Sequence, residues 1–166
     1  SSMFSGCSGL TSLNLSSFNT SKTTEMRTMF YNCSNLTSLD LSGFNTPSVR
    51  YINGMFQNCS SLASLNLSSF DTSKVIDMSS MFNGCTGLTS LILGPSFFKT
   101  SRYTFTNFSD SANWTGDTVV ISLVTNSYDR ATAGLSTMTL KLSANTKAAL
   151  TDEQKATITA KGYTIA

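Results

Sequence analysis

Four cysteines, nine carboxylates and one tryptophan are the side chains of this sequence best suited to chemistry, and it holds no histidine. Without an imidazole, the usual general base near neutral pH and the usual partner of a nucleophilic serine are missing. Two carboxyls could still cleave a glycosidic bond if they faced each other across about 5 to 10 Å. Glu25 and Asp77 share one position of the repeat set out below, but Tyr51 stands between them, and Asp40 is alone among uncharged neighbours. The run DSANWTGD, Asp110 to Asp117, places two acids around Trp114 and would suit a sugar subsite, whereas a core tryptophan in a degenerate repeat explains it more simply. No Gly-rich phosphate loop and no nucleophile elbow is present. These residues imply neither an enzyme nor a cofactor.

Cys7, Cys33, Cys59 and Cys85 are spaced by 33−7, 59−33 and 85−59, each 26. Zinc is excluded by the lack of histidine and of any Cys-x-x-Cys pair, because thiols drawn from four successive turns of chain lie in a line and not in a tetrahedron. Neighbouring turns about 5 Å apart would bring the thiols close enough to bridge. Their side chains point the same way, however, and a disulfide needs converging Cβ atoms. The expectation is a ladder of buried free thiols acting as small apolar residues. Asn19, Asn45 and Asp71 recur in the same way, but one acid per turn is too little charge for calcium, and turn formation accounts for them.

The elements that position these residues follow from the same period. A step of 26 also links Phe4, Phe30, Phe56 and Phe82, and likewise Leu10, Leu36, Leu62 and Leu88, with no insertion. Phe18, Phe44 and Phe70 continue the set, each followed two residues later by Thr20, Thr46 or Thr72. Within each unit the alternation of LTSLNLSSF, Leu10 to Phe18, is that of a short strand with one buried face. One strand per turn, repeated by translation, gives a parallel sheet and a solenoid. Ser12, Asn14, Ser38, Asp40, Ser64 and Asn66 then stand on its open face.

The pattern Met-Phe-x-x-Cys-x-x-Leu-x-x-Leu-x-Leu-Ser-x-Phe-x-Thr, complete in MFYNCSNLTSLDLSGFNT from Met29 to Thr46, resembles the BspA-like leucine-rich repeats of bacterial surface proteins. The resemblance implies an α/β repeat fold, a right-handed leucine-rich-repeat solenoid displayed at the cell surface or outside the cell. It departs from the familiar leucine-rich consensus in placing Phe18, Phe44 and Phe70 where an asparagine or cysteine is usual, so the turn behind the strand is expected to be aromatic.

Charged residues make up 12% of the chain, against a usual level of about 25%, and Ser, Thr and Asn fill the difference. A net charge of +2 is too small and too dispersed to indicate nucleic acid or a membrane surface. No stretch of about eighteen apolar residues could span a bilayer. The chain opens inside a repeat at SSMFSGC, so a secretory leader is not expected in it, and export would be a property of a longer parent.

Three segments of one continuous domain are expected: repeats over 1–100, degenerate repeats over 101–142 and a C-terminal cap over 143–166. The run TVVISLVTNSYDR reads as a helix, and LSTMTLKL as a returning strand. In the cap, Thr151 is placed as helix N-cap with Gln154 completing a capping box, an apolar face runs through Ala156, Ile158 and Ala160, Gly162 stops the helix and YTIA forms a strand. The functional expectation is a monomeric, non-catalytic adhesion module that binds a host or neighbouring-cell surface or matrix protein through the strand face. A passive spacer and a carbohydrate-binding module around Trp114 are the alternatives.

Overall fold

The computed structural model describes residues 1–97, 131, 138–140 and 144–165. Among the described residues the elements are short parallel strands and two helices, an α/β arrangement. Strands β1 (Ser12–Asn14), β2 (Ser38–Asp40), β3 (Ser64–Leu67) and β4 (Ser90–Leu93) fall one to each 26-residue unit. They pair parallel and in register with the repeat, Leu13 opposite Leu39 and Leu65 opposite Leu91. Alternation places Leu65, Leu67, Leu91 and Leu93 inside, while Ser64 and Asn66 point to solvent.

The continuous sheet expected from the sequence is interrupted. β1 pairs with β2 and β3 with β4, but β2 does not pair with β3. At the start of β2, the Thr37 amide and hydroxyl both donate to the Thr11 carbonyl at 2.8 and 2.9 Å. At the start of β4, Thr89 makes the same two bonds to the Ala63 carbonyl at 2.9 and 3.2 Å. The residue in that place ahead of β3 is Ala63, which has no hydroxyl to reach back to Thr37.

A second correction concerns the far side of each unit, where the sequence suggests only a return path. There the backbone forms another inter-unit ladder: Met26, Thr28, Phe30 and Asn32 donate to the carbonyls of Tyr51, Asn53, Met55 and Gln57 at 2.9 to 3.1 Å. The next units repeat it, from Ile52 to Asp77 and from Phe56 to Met81, both at 3.0 Å. Glu25, Tyr51 and Asp77 form parallel bridges along this row. The backbone can turn through this side because two repeat positions are left-handed. One holds Ser2, Thr28, Gly54 and Ser80 and the other Gly6, Asn32, Asn58 and Gly84, all at φ between 48 and 77°. Glycine and asparagine accept this conformation readily, whereas Thr28, β-branched at φ 48°, holds it under strain.

Between the two ladders lies the core. The rings of Phe4, Phe30, Phe56 and Phe82 stack face to face with centroids 5.5, 5.6 and 5.7 Å apart, and Phe44 stacks on Phe70 at 5.9 Å. Phe44 and Phe70 are buried, as the repeat requires of the turn behind the strand, but Phe18 is 37% exposed. Among the described residues no ring stacks on Phe18. Thr20 and Thr46 are also buried, because each hydroxyl bonds both to the carbonyl and to the amide of one residue in the next unit, Asn45 and Asp71 respectively, at 2.8 to 3.0 Å.

Near the C-terminus, β5 (Met138–Leu140) pairs parallel with β6 (Tyr163–Ile165). Between them run α1 (Ala144–Ala149), which the sequence reading does not separate, and α2 (Asp152–Ala160). Thr151 caps α2 with both bonds of a capping box, Gln154 N–H to Thr151 Oγ1 at 3.2 Å and Thr151 N–H to Gln154 Oε1 at 2.8 Å. The apolar face is narrower than expected: Ile158 is buried, while Ala156 and Ala160 are exposed, since residues two apart do not share a helix face. Gly162 ends the helix at φ 86°. The expected helix over 118–130, most of the degenerate repeats and Trp114 lie outside the described residues.

Candidate functional site

The six positions expected to form a binding face come together on the strand side, five of them exposed and Asp40 half-buried. Their side chains are less free than the sequence suggests. Asn14, Asp40 and Asn66 each accept, through Oδ1, the amide N–H two residues on, at Ser16, Ser42 and Ser68, all at 2.9 Å. These three residues therefore form Asx turns at or next to the strand ends, and large side chains there would disturb the fold as well as the face. Ser12, Ser38 and Ser64 carry no such bond and remain available. The Ser42 amide N–H, and after it the Ser42 hydroxyl, donate to Asp40 and hold its carboxyl below the ordinary aspartate value.

The interruption between β2 and β3 opens this face. A cavity of about 150 Å³ sits at the strands' C-terminal ends, between Leu39, Asp40 and Ser42 on one side and Asn66, Ser68 and Ser69 on the other. A second, of about 230 Å³, lies over Ser38, Ser64 and Ser90 and includes Ile92, which is 38% exposed. Asp40 is the single charged residue among strands β1 to β4.

The cysteines depart from expectation at one position. Cys33, Cys59 and Cys85 are buried and Cys7 is exposed, all four being free thiols. Nor are the buried thiols merely apolar. Each Sγ donates to the carbonyl of the phenylalanine 29 residues earlier, Cys33 to Phe4, Cys59 to Phe30 and Cys85 to Phe56, at 3.0 to 3.1 Å. Burial pushes their ionisation up, that of Cys85 to about 12. Such thiols are poor nucleophiles. Among the described residues no group of three or more histidine, cysteine or acidic side chains could hold a metal ion.

The far side carries a feature the sequence reading misses. Arg27 lies over the Tyr51 ring at 3.7 Å and meets Glu25 at 3.3 Å. The alignment of Glu25 with Tyr51 and Asp77 at one repeat position was available as a signal, but the arginine two residues on needs the stacked geometry to be seen against the ring. Asp77, the carboxyl that shares a repeat position with Glu25, accepts from the Ser79 amide and hydroxyl at 2.9 and 2.7 Å. No helix among the described residues is long and apolar enough to cross a membrane.

Comparison with known families matches residues 1–118 to one described as Mycoplasma protein of unknown function, DUF285. No curated protein and no solved structure matches the chain.

Proposed function

We propose that this chain, which belongs to the family described as Mycoplasma protein of unknown function, DUF285, is a right-handed leucine-rich-repeat solenoid of the BspA-like kind and works as a non-catalytic protein-binding module. Its partner is a surface or matrix protein of a host or neighbouring cell, and its own place is the cell surface or the exterior. The observation that carries this reading is the strand face. Ser12, Ser38 and Ser64 recur there at one unit per step, exposed and without side-chain bonds, on strands paired β1 with β2 and β3 with β4 and backed by the far-side ladder. A rigid repeated surface whose side chains are uncommitted to the core suits an elongated partner. Contact by contact such a surface binds weakly, since aromatic and arginine anchors usually dominate binding energy, and a longer array gains by avidity.

One observation favours a second location. Arg27 over Tyr51 is an aromatic and arginine pair of the type that anchors interfaces, so the far side is the competing face. The experiment is an array of matrix proteins and glycans probed with the parent chain, with Ser12→Arg/Ser38→Glu/Ser64→Arg and with Tyr51→Ala. The alternating charges keep neighbours in the ladder attractive, leaving stability near the parent's. The proposal expects the first variant to lose binding and the second to keep it; the reverse pattern rejects the strand face. Retention only of glycans supports the carbohydrate alternative, and no binding by the parent supports a spacer.

A further inference from the structure

We propose that the opening between β2 and β3 is a receptor for a guanidinium group, so that the partner engages the strand face by inserting an arginine beside Asp40. The inference rests on the strand-face reading above and names the chemistry of its anchor.

Three observations bear on the seam between β2 and β3, one at its start and one at its C-terminal end. First, the hydrogen-bonded sheet is absent only between these two of the four successive strands. Two bonds present between β1 and β2, Thr37 N–H to the Thr11 carbonyl and Leu15 N–H to the Asp40 carbonyl, have as their counterparts one unit on Ala63 N–H to Thr37 and Leu41 N–H to Asn66. Neither counterpart forms. Second, Ala63 interrupts a row in which Thr37 and Thr89 each add a hydroxyl bond to the preceding unit. The departure from the row and the break in the sheet fall between the same two strands. Third, the cavity at the strands' C-terminal ends is lined by the apolar Leu39 and Leu41 together with Asp40, Ser42, Asn66 and Ser68.

That lining selects its occupant. It offers a negative charge and several oxygen acceptors, and the one carboxylate of the strand face lies at its rim. An arginine side chain brings five N–H donors, no acceptor and a permanent positive charge, with a methylene stem that lies well on apolar surface. An anion would meet Asp40, and a neutral hydroxyl would leave its charge unpaired. The far side of the same units keeps its ladder from Ile52 to Asp77 and from Gly54 to Ser79 intact, so the units stay joined across the seam.

The test uses the full chain labelled with 15N, titrated with N-acetyl-arginine amide and, separately, with N-acetyl-citrulline amide, which has the same shape without the charge. Arginine is expected to shift the amides of residues 38–42 and 64–69, saturating in the millimolar range, while citrulline leaves them in place. Asp40→Asn retains the Asx turn through its own Oδ1 and is expected to weaken arginine binding at least tenfold. Ala63→Thr is expected to close the seam: arginine shifts vanish, while the melting temperature rises by about 2 to 4 °C as the hydroxyl row is completed. Equal shifts from citrulline, undiminished binding by Asp40→Asn or undiminished binding by Ala63→Thr would each overturn the inference. A partner that still binds the strand face of Asp40→Asn as tightly as the parent overturns the arginine anchor alone. A partner that binds the far side overturns the reading beneath it.

Discussion

Cys7 and Cys33 hold the same position of the repeat and differ only in what covers them, a difference the sequence could not display because burial depends on the neighbouring unit. Native protein should therefore expose one reactive thiol, Cys7, and all four after denaturation; four reactive thiols in the native state would contradict the stacked core. For Cys85 the folded thiol ionises near 12 against an ordinary value of 9.0, burial being the largest cause. A raised value stabilises the fold fully below the ordinary pKa and is lost as pH rises through the folded one. Stability should accordingly decline above pH 9, and Cys85→Ala should flatten that decline, a comparison that separates the thiol from tyrosine and lysine titrations. The threonines carry a further test at this scale. Thr20 donates to and accepts from the Asn45 backbone at 2.8 and 2.9 Å, so Thr20→Val, equal in shape, should cost about 1 to 3 kcal/mol in denaturant titration. A cost near zero would show that solvent replaces the hydroxyl.

At the scale of elements, the strands and α2 could be read from the sequence because their signals are local. Leucine alternation marks β1 to β4, and Thr151 with Gln154 marks the start of α2 within one turn. Thr151→Ala should cost about 1 kcal/mol, read as a lower melting temperature, with the expected loss confined to α2 in hydrogen exchange. The far-side ladder was not legible, because no side-chain alternation accompanies it. It depends on left-handed backbone at two positions per unit, and glycine or asparagine occupies only some of them. Thr28, at φ 48°, gives the clearest test. Thr28→Gly should raise stability by about 0.5 to 1 kcal/mol, since relief of left-handed strain exceeds the entropy cost of glycine. A loss of stability would mean that the hydroxyl bond between Thr28 and Ser2, 2.8 Å long, outweighs that strain.

For the whole molecule, a strict period foretold units that stack in register, and it equally foretold a sheet without interruption. The seam coincides with one residue, Ala63, that departs from the row at a place where a hydroxyl reaches between units, a contact that no count of leucines reports. The strand face likewise was legible as a set of positions but not as chemistry: Asn14, Asp40 and Asn66 look like free polar side chains in the sequence and are turn formers in the fold. What distinguishes a binding face from a well-made surface is where a partner touches. The most direct measurement is hydrogen exchange by mass spectrometry on the full chain, alone and saturated with the partner found on the matrix-protein array. The account predicts slowed exchange in peptides containing residues 12–14, 38–42 and 64–69, with those spanning 25–28 and 50–53 unchanged. Slowing confined to the peptides around Arg27 and Tyr51, with the strands unaffected, would contradict it.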